Sequence, residues 1–185
     1  MEFPELETSR LALNKLSKDD TPALFEIFSD KSVVKYYDID AHKSEEQSSA
    51  LIDFFNSRFD EKVGIRWAIR EKNTGQLIGT CGLNAINSKM KNAGIGYELS
   101  PKYWGLGFTT EALRKIIGLA FSKESPFCEL YRIQADTMID NVASEAVLKK
   151  LGFREEGVRR SSGYWKNEFH DLKCFGLLKP EFREA

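Results

Sequence analysis

The chain has 185 residues, with 27 basic and 28 acidic side chains and a net charge of −1. That length supports one well-buried core and is short for two ordinary domains, so residues 1–185 are expected to form a single domain. Charges of both signs are interspersed rather than gathered into a basic block, which excludes nucleic acid as an expected partner.

No apolar run approaches the ~20 residues that span a bilayer, and the acidic stretch Met1–Glu7 lacks the basic-then-apolar order of an export signal. Cys81, Cys128 and Cys174 are widely spaced, with no CxxC pair and no histidine cluster nearby. They read as packed free thiols of a cytoplasmic protein without a metal site or a membrane partner.

In chain order, Leu11 and Leu13 alternate with polar neighbours and predict a first strand, after which Asp19-Asp20-Thr21-Pro22 supplies start chemistry for a helix over Ala23–Phe28. Ser44-Glu45-Glu46-Gln47 fits a capping box, and Leu51, Ile52, Phe55 and Phe59 recur at helical spacing, predicting an amphipathic helix over 45–60. The β-rich runs Ile65–Arg70 and Leu77–Leu83 flank the turn residues Lys72-Asn73-Thr74-Gly75 and predict a hairpin. A polar loop, Asn84 to Asn92, leads to a further antiparallel strand, Ile95–Leu99.

From that strand the chain enters a turn with two glycines, Gly105 and Gly107, and then a helix that buries Ala112, Leu113, Ile116, Ile117, Ala120 and Phe121. Arg132–Thr137 is the next strand. Asn141-Val142-Ala143-Ser144 opens a helix that ends at Gly152, and Phe153–Leu178 alternates as two strands around Ser161-Ser162-Gly163. The order β-α-α-β-β-β-α-β-α-β-β predicts an α/β chain of the α+β type, with a mixed, mostly antiparallel sheet of about six to seven strands flanked by helices.

The glycine turn is the first functional signal. Glycines permit close approach of the backbone, and the N–H groups opening the following helix offer partial positive charge to a phosphate. No P-loop lysine follows, which argues against a nucleoside triphosphate, and the missing third glycine at Thr110 argues against a dinucleotide fold.

Taken in order, Ser9-Arg10-Leu11, Trp67-Ala68-Ile69, Ile95-Gly96-Tyr97, Tyr103-Trp104-Gly105-Leu106-Gly107-Phe108-Thr109-Thr110-Glu111-Ala112, Asn141-Val142-Ala143-Ser144 and Leu148-Lys149-Lys150-Leu151-Gly152-Phe153 carry a family resemblance over nearly the whole length. The chain resembles the GNAT acyltransferases, in particular the RimJ/RimL-like branch of ribosomal-protein N-terminal acetyltransferases. The family's R/Q-x-x-G-x-G/A phosphate signature is filled by Lys102 to Gly107, with lysine keeping the positive charge of the first position.

The resemblance implies a GNAT fold and acetyl transfer from acetyl-CoA to a primary amine. It implies that Lys102, Trp104, Gly105, Leu106, Gly107, Phe108, Thr109 and Thr110 cradle the pyrophosphate, that Leu99 at the strand end pairs with the pantetheine amides, and that Asn141 fixes that arm. Ser144 is the implied proton donor to the departing thiolate; capping of the helix start is the alternative role for Asn141 and Ser144.

The family's glutamate before the Ile-Gly-Tyr run is Gly94 here, which leaves Glu98, on the same strand face, or a water chain as proton acceptor. His170 is expected to flank the last strand rather than act as a base, and His42 to be exposed. Tyr36, Tyr37, Tyr164 and Trp165 are the acceptor-binding candidates, with core packing as their alternative. The expected acceptor is a protein N-terminal α-amine; a polyamine or antibiotic amine, or a non-catalytic acyl-CoA-binding module, are the other readings. Dimers are common among such proteins, so a homodimer is one expected assembly.

Overall fold

In the computed structural model, which describes residues 2–184, one sheet of eight strands runs in the order β1-β2-β3-β4-β5-β6-β8-β7. The strands are β1 (Leu6–Glu7), β2 (Leu11–Lys15), β3 (Ile65–Glu71), β4 (Leu77–Asn87), β5 (Asn92–Leu99), β6 (Arg132–Met138), β7 (Arg154–Trp165) and β8 (Glu168–Leu178). The helices are α1 (Thr21–Ser29), α2 (Glu45–Asp60), α3 (Phe108–Phe121) and α4 (Val142–Lys150). The order of elements is the expected one, with one strand added. That strand, β1, has two residues paired to β2, too short for an alternation signal.

Two faces of the sheet are covered differently. Leu24, Ile27 and Phe28 of α1 and Ile52 of α2 close a core with Leu16, Val34, Ala68 and Leu77. On the other face Leu113, Ile116 and Ile117 of α3 and Leu148 of α4 close the larger core with Trp67, Ile69, Ile78, Ile133 and Phe175. The α3 residues are the stripe that helical spacing predicted, whereas the predicted α2 stripe divides, Ile52 facing the first core and Phe59 the larger one.

Three local expectations are corrected. The last hairpin turns at Lys166-Asn167, where Trp165 pairs with Glu168 and both loop residues have positive φ (52° and 62°), the backbone a two-residue hairpin loop requires. Ser161 to Gly163 instead lies inside β7 at a register shift between Arg159 and Gly163, so its turn-like composition marks a bulge. The expected loop from Asn84 to Asn92 is mostly strand, because β4 runs to Asn87 through a second irregularity and β5 starts at Asn92. At the start of α2, Ser44 is the N-cap, but Gln47 Oε1 accepts from Lys43 N at 2.5 Å, so the capping box does not form.

Candidate active site

The sheet is antiparallel except where β5 meets β6, and there pairing stops after Asn92↔Arg132, Ala93↔Ile133 and Gly94↔Gln134. Beyond Gly94, β5 stays on β4 as far as Leu99 while β6 stays on β8 as far as Met138, so the two strands part into a fork. Ser100 N donates to Ile78 O at 2.8 Å. Antiparallel alternation therefore turns the backbone groups of Ser100 and Glu98 toward β4 and those of Leu99 and Tyr97 into the fork. Trp104 Nε1 donates to the Leu99 carbonyl at 2.8 Å and occupies that acceptor.

β5 leads through a short 3-10 turn, Pro101–Tyr103, into the glycine turn. Gly105 and Gly107 have φ of +74° and +81°, a left-handed backbone in which a side chain is strained. A Cβ on Gly105 would meet nothing within 4 Å, so the turn is open on that side. Gly107 caps α3, whose first amides have no helical acceptor. Lys102 Nζ is 2.6 Å from Glu26 Oε1, in a pair whose side chains are both mostly exposed.

The turn is braced from behind by the chain's N-terminal segment. Arg10 Nη1 donates to Leu106 O at 3.0 Å, and its guanidinium lies 4.2 Å from the centre of the Phe108 ring. Glu111 in the first turn of α3 accepts from Thr8 Oγ1 (2.5 Å), Arg10 N (3.0 Å) and Arg10 Nε (2.7 Å). Burial alone would raise the Glu111 pKa, but the hydrogen bonds from Thr8 and Arg10 outweigh it and hold the carboxyl below its usual value. Ser9-Arg10-Leu11 and Glu111, distant parts of the sequence signature, are thus one contact.

At the fork, α4 approaches β5. Asn141 Oδ1 accepts from Ser144 N at 3.3 Å, so Asn141 caps the helix. The Ser144 hydroxyl is 2.6 Å from the hydroxyl of Tyr97 on β5. Burial pushes the Tyr97 phenol up to about 12, so it stays neutral and able to donate at physiological pH. Thr137 Oγ1, on β6 past the fork, is buried with no hydrogen-bond partner among the described residues.

The opposite face carries the other candidates. Glu98 lies on the same face of β5 as Gly94, as alternation predicted; that face meets α1 and α2, and both carboxylate oxygens are engaged. Thr80 donates to Oε1; Arg66 Nη2 and, at 2.5 Å, Tyr37 OH donate to Oε2. Arg66 also donates from Nε to Thr80 at 2.7 Å and lies under the Phe55 ring of α2. Burial, and then the Glu98 charge, push the Tyr37 phenol above its ordinary value; the same charge raises Arg66 against the lowering effect of burial.

The segment joining α1 to α2 is held at three points. Besides Tyr37, Tyr36 OH donates to Asp140 O at 3.2 Å, and Lys166 Nζ of the last hairpin donates to Val34 O at 2.7 Å. Trp165 stacks on His170 with ring centres 4.4 Å apart, and its Nε1 is buried without a partner among the described residues. Tyr164 is exposed with Phe169 beside it. His42, expected at the surface, is half-buried against Phe28, with Nδ1 2.8 Å from Ser48 Oγ.

Two further polar residues were passed over in the sequence. Asp136 follows Gln134 on the same face of β6, one step into the fork, and Arg159 donates to its Oδ2. Arg66 is a charge inside the apolar run Ile65-Arg66-Trp67-Ala68-Ile69. That mismatch is its one sequence signal, whereas Asp136 sits in an ordinary alternation.

The model of the acetyltransferase (GNAT) domain family matches residues 10–154. The chain belongs to the GNAT acetyltransferase family. It is an acyl-CoA-dependent N-acetyltransferase by that membership and by similarity to named N-acetyltransferases. A Bacillus subtilis (strain 168) protein named uncharacterized N-acetyltransferase YoaA is 39% identical over 96% of this chain and 98% of its own. An Escherichia coli (strain K12) ribosomal-protein-serine acetyltransferase is 27% identical over 56% of this chain and 55% of its own. Among solved GNAT structures, RimL, a ribosomal L7/L12 alpha-N-protein acetyltransferase in complex with coenzyme A, superposes with a TM-score of 0.82 at 20% identity, covering 95% of this chain and 98% of that one. No helix among the described residues is long and apolar enough to cross a membrane.

Proposed function

We propose that this acetyltransferase uses acetyl-CoA to acetylate a primary amine, and that its acceptor is the N-terminal α-amine of a protein. The observation that carries the reading is the β5–β6 fork opening onto the glycine turn: an unpaired strand edge leads directly to a left-handed turn and a helix start. The residues present fit the co-substrate. The free backbone of Tyr97 and the unpartnered Thr137 hydroxyl suit pantetheine amides, while the open backbone from Trp104 to Thr110, with Lys102 beside it, suits a pyrophosphate. When bound, acetyl-CoA supplies an activated acyl thioester.

The chain's own residues supply the rest. Ser144 holds a proton for the leaving sulfur, with Tyr97 orienting its hydroxyl from across the fork. Asp136 holds the incoming ammonium and accepts its proton: it is exposed, with only Oδ2 engaged by Arg159, whereas both oxygens of the buried Glu98 are engaged by Arg66, Thr80 and Tyr37. Tyr36, Tyr37 and Trp165 wall the approach on the α1–α2 face. An α-amine is the easier acceptor: its reference pKa is about 7.7–8.0 against about 10.4 for lysine, so a larger fraction is already neutral. The ribosomal-protein acetyltransferases among the similar proteins support this choice of acceptor.

The test is thiol release from acetyl-CoA with a panel of N-terminal peptides, polyamines and aminoglycosides. Peptide-dependent turnover is expected; turnover on the small amines alone would move the acceptor to that class. Coenzyme A binding without turnover on any member would leave a binding module. Ser144→Ala should lower turnover by about 10²-fold or more, the usual size of a lost proton-transfer group, at unchanged coenzyme A affinity. An unchanged rate removes Ser144 from the chemistry.

A further inference from the structure

Arg66 is 5% exposed, and its Nε and Nη2 are taken by Thr80, Glu98 and Tyr37. Its Nη1 donates to nothing among the described residues, and the side-chain amide of Asn84 is likewise without a partner there. The two converge over Gly96: a Cβ at that position would lie 3.0 Å from Arg66 Nη1 and 2.9 Å from Asn84 Nδ2. A Cβ on neighbouring Gly94 would approach nothing closer than 3.6 Å. Two half-buried glycines therefore form a bare floor, with a cationic donor and a neutral donor aimed across it. The floor lies where β5 and β6 part, since Gly94 is the last residue of β5 to pair with β6.

The guanidinium is held in place by Thr80, Glu98 and Tyr37, and Nη1 is left free to donate to a group that enters over Gly96. A carbonyl oxygen suits that place, because it can accept from both donors at once. An ammonium cannot accept at all and would face a like charge. In an α-aminoacyl group the amine nitrogen and the carbonyl oxygen are about 3 Å apart by backbone bond lengths. An amine at the fork, beside Asp136, thus carries its own carbonyl within reach of this floor.

We infer that Arg66 Nη1 and the Asn84 amide, above the Gly94–Gly96 floor, bind the carbonyl oxygen of the acceptor's first residue and so select α-aminoacyl acceptors over amines lacking that oxygen. This rests on the acetyl-transfer reading and specifies how its acceptor is read. Gly94 and Gly96 have a positive function here: a side chain at 96 would occupy the carbonyl's place.

The test compares three acceptors by thiol release from acetyl-CoA: a short peptide with a free α-amine, the same peptide with its first carbonyl reduced to a methylene, and spermidine. With rates referred to the neutral fraction of each amine, so that the greater basicity of the reduced peptide does not contribute, the wild-type enzyme is expected to prefer the intact peptide over the reduced one by about 10²-fold or more in kcat/KM, as sites built to hydrogen-bond a substrate group do. Gly96→Ala, which fills the floor, should lose most of that preference while binding coenzyme A as before in calorimetry. Asn84→Ala, which removes one donor without crowding the strand, should lose part of it and keeps the test available if Gly96→Ala misfolds. Equal kcat/KM for the intact and reduced peptides, or a wild-type preference for spermidine, overturns the carbonyl site while leaving acetyl transfer standing. No thiol release with any of the three, while an aminoglycoside is turned over, also overturns the carbonyl site; no release with any acceptor, aminoglycosides included, counts against the proposed acetyl-transfer reading and the carbonyl site with it.

Discussion

Glu98→Gln keeps the shape of the side chain and removes the one negative charge from a buried cluster of Arg66, Thr80 and Tyr37. Arg66 and Glu98 have side chains 5% and 1% exposed, so solvent cannot take over the lost charge. Removing one partner of such a pair costs about 3–5 kcal/mol, because an uncompensated charge stays buried. For a chain of this length that is a fall in Tm of about 6–20 °C, a large share of a total stability of about 5–15 kcal/mol. Urea or thermal unfolding followed by circular dichroism reads the loss. Thiol release, measured below the new transition at saturating acceptor, reads the chemistry, and kcat should fall by less than about tenfold. A general base would behave differently: its removal costs about 10²–10⁴-fold in rate. A Glu98→Gln protein that unfolds with the wild type yet loses that much turnover would refute the positioning role and restore Glu98 as the proton acceptor.

Two further outcomes follow from single residues. Gly105→Ala puts a Cβ on a left-handed backbone with open space around it, so the cost is the dihedral strain alone, about 1–2 kcal/mol. Unfolding should show that loss without a change in fold, and a loss near zero would mean the turn relaxes without cost. His42 is the pH-dependent element: burial lowers its pKa below the ordinary 6.5, so the unfolded chain binds its proton more readily than the folded one. The stability this contributes is fully present above pH 6.5 and declines as pH falls through the lowered folded value. His42→Gln should flatten the stability curve between pH 7 and 5, above the range where the depressed carboxylates such as Glu111 titrate. Superimposable wild-type and variant curves in that window would remove His42 as the cause.

The fold was legible because its signals are local. The helical stripes of α2 and α3, the proline opening α1 and the alternation in β2 to β4 each lie within one element, and each formed where spacing placed it. Failures came where one local rule met another. Ser161-Ser162-Gly163 has turn composition, yet the register of β7 on β8 absorbs it as a bulge and leaves the reversal to Lys166-Asn167, whose lysine gives no turn signal. His42 looks exposed in its polar run but folds back, its backbone N–H donating to Phe28 O at 3.0 Å.

The donor and acceptor halves of the candidate site differ in the same way. Glycine turn, helix start and strand end come from one continuous stretch, Tyr97 to Ala112, so the residues proposed to hold acetyl-CoA could be named together. The proposed acceptor side is assembled from the α1–α2 segment, β3, β4, β5, β6 and the last hairpin, and no two of its parts share a local pattern. Arg66 shows what this conceals. In the sequence it is a lone charge in an apolar strand; in the fold it neutralises Glu98, anchors Tyr37 and still presents Nη1 across Gly96. A glycine reads as a missing acid at 94 only if the base must stand on β5. If Asp136 is the proton acceptor proposed above, bare floor at 94 and 96 would let an acceptor lie between the two carboxylate-bearing strands, and the departure from the family pattern would then be a statement about the substrate.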